Sequence, residues 1–305
     1  MKDRVTDLLS RDFLRLLSDY GFKRVFGLPE NSHILIRFLN ALFEGRMVIT
    51  DVKYHPKDVL PPDEDGKPIL YDIYCTTATG HHFIVEMQQQ QSELFGKRML
   101  FYMAAAIYRQ GERGRSYNFD PVYLVAVTDF DIRPLKPQLV NEVILKERVT
   151  DIVFTEEIKI FYLSLHQVSE KWEDCTTELE RLLYLIKNMD KLDKKSAPYV
   201  EGGYEEIFRA SEIASMANED VVTYKQSLLR EMETESAIEF AKHEGYELGE
   251  RRGREEGIRK GREEGREEGR EESLKKVARE MKKGGMPLAE IMLYTGLSME
   301  DIAEL

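Results

Sequence analysis

A chain of 305 residues, 42% of them hydrophobic, is long enough to bury a core and carry an extension, and too apolar for a disordered polymer. Charged residues interrupt every hydrophobic run, so no membrane-spanning helix or secretory leader is expected, and the protein is expected in the cytosol. Two cysteines, Cys75 and Cys175, are too few for a disulfide framework or zinc knuckle, and the net charge of −12 confines any nucleic-acid contact to a local basic surface.

Apolar residues at helical spacing predict two helices within residues 12–42, parted near Gly27-Leu28-Pro29-Glu30. A strand is expected at 47–54 and a loop at 56–68, where Pro-Pro and Asp-Gly gather with many charges. Strands at 69–77 and 81–90 form a hairpin about Thr79-Gly80. An Ala-rich helix over 95–108 follows, ended by Gly111 and Gly114. The Val-rich run 121–129 predicts a central strand and 159–165 another, with helices from Glu178 onward. The expected organisation is a core over 1–165, a helical extension over 166–235, a charged helix over 236–272 and a small helix-turn-helix-like segment over 273–305.

In the charged tract glycine recurs every fourth residue from Gly245 to Gly269 among Glu, Arg and Lys. Each glycine costs a helix about 1 kcal/mol against Ala, while Glu–Arg pairs return a few tenths each, so an isolated helix here is marginal and a partner chain or another part of the protein would favour it. In the last segment Ser298 is placed to cap the final helix with Asp301 as its acidic partner.

A turn about Thr79 sets Asp72 opposite Glu86, Ile73 opposite Val85, Tyr71 opposite Met87 and Cys75 opposite Phe83. One face is then continuously apolar, and the other presents Asp72, Glu86 and Gln88. Two opposed carboxylates repel, and a bound cation reverses the sign. Hard divalent cations such as Mg²⁺ take carboxylate oxygens plus water and substrate phosphate, and a metal-activated water suits phosphodiester hydrolysis.

Asp72, then Glu86-Met87-Gln88, then a helix bearing Lys97, Arg98 and Tyr102 resembles the PD-(D/E)XK nuclease family transposases, also called recombination-promoting (Rpn) nucleases. The stretches Asp19-Tyr20-Gly21-Phe22-Lys23-Arg24-Val25-Phe26-Gly27 and Leu39-Asn40-Ala41-Leu42-Phe43 are similar to that family's opening motifs, and the glycine-rich tail and closing Thr-Gly-Leu-Ser also match. The resemblance implies an α/β restriction-endonuclease-like fold, a mixed sheet flanked by helices, followed by an all-α extension with a long charged helix. It implies cleavage of DNA with Mg²⁺ (Mn²⁺ or Ca²⁺ as alternatives) and a link to recombination or mobile elements. Asp72 and Glu86 match the metal-binding acids, Glu44 an auxiliary acidic position, and Gln88 stands where the wider superfamily has Lys.

Plainer readings stand beside these. His81 and His82 read as turn residues, and Trp172 as core or helix-docking. Of the cations Lys97, Arg98, Arg109, Arg113 and Arg115, the first two are expected to meet DNA, since their helix starts just after the metal strand. Two other function classes remain: a non-catalytic interaction protein on a decayed nuclease core whose tail drives homo-oligomeric assembly, and a DNA-binding regulator acting through 273–305.

Overall fold

A computed structural model describes residues 2–56, 58–59, 68–111, 118–195 and 203–305. Arg113, Gly114, Arg115 and most of the 56–68 loop lie outside them. The described chain divides between Met232 and Glu233 into two compact units.

The first unit is built on a six-stranded mixed sheet in the order β1-β4-β5-β6-β8-β7: β1 Lys53–Tyr54, β4 Ile73–Thr76, β5 His82–Gln88, β6 Val122–Thr128, β7 Val140–Lys146 and β8 Val153–Ser164. Two short strands, β2 Asp58–Val59 and β3 Ile69–Leu70, pair with each other. β4 and β5 form the expected antiparallel hairpin, with Ile73 opposite Val85 and Cys75 opposite Phe83. Gly80 turns it at φ +87°, where a side chain would also press on the Asp120 carboxyl. β5, β6 and β8 run parallel, and helix α4, Phe95–Tyr108, makes the crossover from β5 to β6.

Both faces of this sheet are covered, which corrects the expectation of one apolar and one polar face. Ile73, Cys75, Phe83, Val85 and Val125 pack under α1 Lys2–Leu9, α2 Asp19–Phe26, α3 Ser32–Leu42, α5 Glu178–Asn188, α6 Glu205–Ser211 and the first turns of α7 Asn218–Lys283. On the opposite face Tyr74, Ile84, Leu124 and Ala126 pack under Phe95, Met99 and Met103 of α4. Parallel strands in a βαβ arrangement are sandwiched, so their runs are apolar on both sides, as β6 is throughout.

Two further differences have local causes. The strand expected at 47–54 shrinks to Lys53–Tyr54 because the Asn40 side chain takes the backbone of Ile49: its Nδ2 donates to the Ile49 carbonyl and its Oδ1 accepts the Ile49 N–H, both at 2.8 Å. β7, which the sequence pattern does not announce, is an edge strand whose half-exposed residues show no clean alternation. Trp172 packs edge-on against Tyr184 and Tyr204, the helix-docking role expected of it.

The second unit continues α7 and ends in α8 Leu288–Thr295 and α9 Met299–Glu304, with Ala278, Ile291 and Ile302 as its buried centre. Ser298 and Asp301 form the expected capping box on α9. No described helix is long and apolar enough to cross a membrane.

Helix α2 needs close support. Ser18 caps it, accepting the Gly21 N–H at 2.9 Å and donating to the Arg15 carbonyl at 2.6 Å. A Cβ on Gly21 would stand 2.2 Å from the Arg15 carbonyl oxygen. Gly21→Ala is therefore expected to cost about 1–3 kcal/mol, read as a lower thermal midpoint by roughly 2–4 °C per kcal/mol. An unchanged midpoint would mean that the Arg15 turn yields freely.

Candidate active site

The β4–β5 register brings Asp72 beside Glu86, just past the last ladder pair between Ile73 and Val85. The chain bends at Asp72 and the two acids exchange side-chain-to-backbone bonds instead of continuing the ladder. The Asp72 N–H donates to Glu86 Oε1 at 3.0 Å, and the Met87 N–H donates to Asp72 Oδ2 at 3.0 Å. The bend also moves Tyr71, expected opposite Met87 on the other face, into the cluster with Tyr74 and Ile84, where its hydroxyl donates to the Tyr102 carbonyl at 2.9 Å. Glu86 and Gln88 thus stand at the carboxyl end of a parallel strand, where open α/β sheets bind ligands.

Glu86 is only 5% exposed. Burial, then the nearby Asp72 charge, pushes its carboxyl well above the usual carboxylate range. Among the described residues no cation lies within ion-pair distance of it. Asp72 differs: Lys23 Nζ, on α2, sits 3.0 Å from its Oδ1 and also pairs with Asp19. Burial alone would lower the Lys23 pKa, but the Asp72 and Asp19 carboxylates outweigh it and the ammonium is held above its ordinary value. Tyr102 of α4 is raised too, by burial and then by the charge of Glu86.

Gln88 is held at both ends of its amide. Arg98 donates to its Oε1, and its Nε2 donates to the Gln90 carbonyl at 3.1 Å. The Arg98 guanidinium lies 5.3 Å from the Phe95 ring centroid, and its Nε is buried without a hydrogen-bond partner among the described residues. Lys97, the neighbouring expected cation, is exposed. Glu44 is not brought to the pair: it is exposed after α3, beside Phe43, whose ring packs on Phe83 and Phe161 across the sheet from Glu86.

Lys23 is the residue that sequence reasoning passed over, although it sits inside the opening motif. Behind Gln88, Arg15 donates to Gln89 Oε1 at 3.0 Å, and the half-buried Glu231 of α7 accepts from the Asp19 N–H at 2.9 Å and from Gln89 Nε2 at 3.3 Å. These bonds tie the start of α2, the end of β5 and α7 together.

The donors fit a hard divalent cation. Two carboxylates lie together, one of them buried with no cation within ion-pair distance among the described residues, and oxygen ligands of this kind hold Mg²⁺ with water and substrate phosphate filling the rest. Among the described residues no group of three or more His, Cys, Asp or Glu gathers.

Glu86 keeps its proton in the folded chain at pH values where an exposed glutamate, ordinarily at 4.5, has ionised. Its contribution to stability is complete below that value and is lost as pH rises toward the folded pKa. In metal-free buffer Glu86→Gln is expected to melt above wild type at neutral pH, with the gap closing below about pH 4. A gap independent of pH would show that Glu86 titrates in its ordinary range.

No curated protein and no solved structure matches the chain. Among known families, residues 16–241 match the one described as PD-(D/E)XK nuclease family transposase. That span takes in α2 with Lys23, the β4–β5 hairpin, α4 and the start of α7, more than half of the sequence. With its mixed sheet, flanking helices and paired acids at the end of the hairpin, the chain belongs to the PD-(D/E)XK nuclease family transposases.

Proposed function

We propose that this protein is a metal-dependent DNA endonuclease, with Asp72 and Glu86 holding the divalent ion and Gln88 and Arg98 arranging the phosphate. The observation that carries the reading is the buried Glu86 carboxyl, beside a second acid and with no cation within ion-pair distance among the described residues. A carboxylate desolvated next to a like charge is unfavourable in a resting fold and is relieved when a divalent cation arrives. Mg²⁺ is the natural choice for two carboxylates with open positions, and Mn²⁺ or Ca²⁺ suits the same oxygens.

When bound, the ion supplies a Lewis acid for phosphate oxygens and raises the acidity of water. The chain's own residues do the rest. The reciprocal bonds, from the Asp72 N–H to Glu86 Oε1 and from the Met87 N–H to Asp72 Oδ2, fix the two carboxylates before substrate arrives, so little reorganisation is needed on binding. Gln88 is neutral and cannot act as a base, so its part is orientation, and its amide is itself oriented by Arg98. Arg98 sets its guanidinium over the Phe95 ring and beside Gln88, a positive charge for a phosphate oxygen. In the reaction the water oxygen bonds to phosphorus and releases a proton to solvent, while the bond from phosphorus to the leaving sugar oxygen breaks and that oxygen takes a proton from solvent to leave as a hydroxyl. The family supports a link to recombination or element mobility.

Plasmid nicking with Mg²⁺ tests the reading. Asp72→Ala and Glu86→Ala are each expected to slow cleavage by more than the 10–100-fold typical of losing an outer metal partner, about 10²-fold at least, and chelation to abolish it. A wild-type protein that nicks nothing, or an Asp72→Ala variant that cuts equally well, returns the chain to a non-catalytic interaction protein. Arg98→Ala is expected to weaken duplex binding in Ca²⁺ and to reduce the salt dependence by about one phosphate contact. The same slope in both proteins would remove Arg98 from the DNA path.

A further inference from the structure

We propose that the Lys23 ammonium is the mobile positive charge of this site: it occupies Asp72 until a divalent ion displaces it, and it then offsets charge on the scissile phosphate. The proposal rests on the nuclease reading and assigns to α2 the cation that β5 lacks at Gln88.

Four observations converge on it. Lys23 Nζ stands 3.0 Å from Asp72 Oδ1, and the two side chains are only 22% and 16% exposed, so this pair belongs to the interior of the site and not to a solvated rim. Among the described residues it is the one ammonium or guanidinium within ion-pair distance of either Asp72 or Glu86. The neutral Gln88 is already engaged by Arg98 and the Gln90 carbonyl, so nothing on β5 offers a free charge. Finally, the approach of α2 is built: Ser18 caps it, Gly21 lets its first turn close on Arg15, and Glu231 holds the Asp19 N–H.

The physics of displacement is direct. A divalent ion on Asp72 would sit against the ammonium, and like charges at contact distance in a half-buried site repel strongly. Lysine carries its charge on a flexible four-carbon stem and binds phosphate as a point charge, so it can leave the carboxylate without moving the helix. Asp19, one turn earlier on the same face of α2, already shares Lys23 and gives the ammonium a second resting partner. The nearest new negative charge is the phosphate undergoing attack. Lys23 exchanges no proton in this step; it meets the charge that gathers on the non-bridging oxygens as the water oxygen bonds and the sugar oxygen departs.

The test compares wild type with Lys23→Met, which keeps the stem, and with the double variant Lys23→Met with Gln88→Lys. Ca²⁺ binding is followed by titration calorimetry, and single-turnover cleavage of supercoiled plasmid is followed with Mg²⁺. Lys23→Met is expected to bind Ca²⁺ roughly tenfold more tightly, since a competing charge is gone. It is expected to cut about 10²–10³-fold more slowly, the loss typical of one preorganised donor. The lysine restored on β5 in the double variant is expected to recover at least about tenfold of that loss. Weaker or unchanged Ca²⁺ binding overturns the proposal, because Lys23 is then a strut and not a competitor. Cleavage within about threefold of wild type overturns it as well. Should Met at this position prevent folding, Lys23→Gln takes its place in both measurements, and the same outcomes support or overturn the proposal. Wild-type protein that binds Ca²⁺ and cuts no DNA defeats the nuclease reading instead, while the binding comparison still decides whether the ammonium and the divalent ion compete.

Discussion

The exchange of backbone amides between Asp72 and Glu86 is the constraint on which the rest of this site depends. Each acid takes an N–H from the neighbourhood of the other, at 3.0 Å in both directions, in the place where the β4–β5 ladder stops. These bonds spread the negative charge onto peptide dipoles and lock two carboxylates that would otherwise separate. They also oblige the chain to bend at Asp72, and that bend carries Tyr71 to the face where it meets Tyr102 of α4. A shift of one residue in the hairpin would move both acids to the wrong face at once.

What gives the pair its chemical force is burial. The sheet is covered on both sides, by α4 on one and by a set of helices including α2 and α3 on the other. In this setting an uncompensated charge is expensive and a preorganised one is strong. The cations around the end of β5 come from elements far apart in sequence: Lys23 on Asp72 from α2, Arg98 on Gln88 from α4 and Arg15 on Gln89 from the turn before α2. A net charge of −12 therefore says little about this corner of the molecule. Local geometry has gathered positive groups around the end of β5.

The extension obeys different physics. The glycines from Gly245 to Gly269 meet nothing at their Cβ positions, and the helix around them is exposed on every side. It remains a helix despite about 1 kcal/mol lost at each glycine. Pairs such as Glu256 with Lys260, at 3.0 Å, return part of that. The second unit has an apolar centre of its own in Ala278, Ile291 and Ile302. Lys282 finishes it by donating to the Ile302 and Ala303 carbonyls at the end of α9.

Where a feature is set by neighbours in the chain, the sequence alone determined it. The hairpin register followed from a glycine turn and from alternating Ile73, Cys75, Phe83 and Val85, and it brought Asp72 beside Glu86, just past the last ladder pair. The Ala-rich helix over 95–108 and the Ser298–Asp301 capping box were equally legible, because helix propensity and capping act over a few residues. Tertiary structure decided the rest. Alternation cannot tell a solvated face from one roofed by α4, so the burial of Glu86 was hidden. The expected strand at 47–54 yielded to the Asn40 side chain, and Glu44 stands exposed after α3. Above all, the meeting of Lys23 with Asp72 joins residues that no local pattern connects; it exists only because α2 packs against the end of the hairpin.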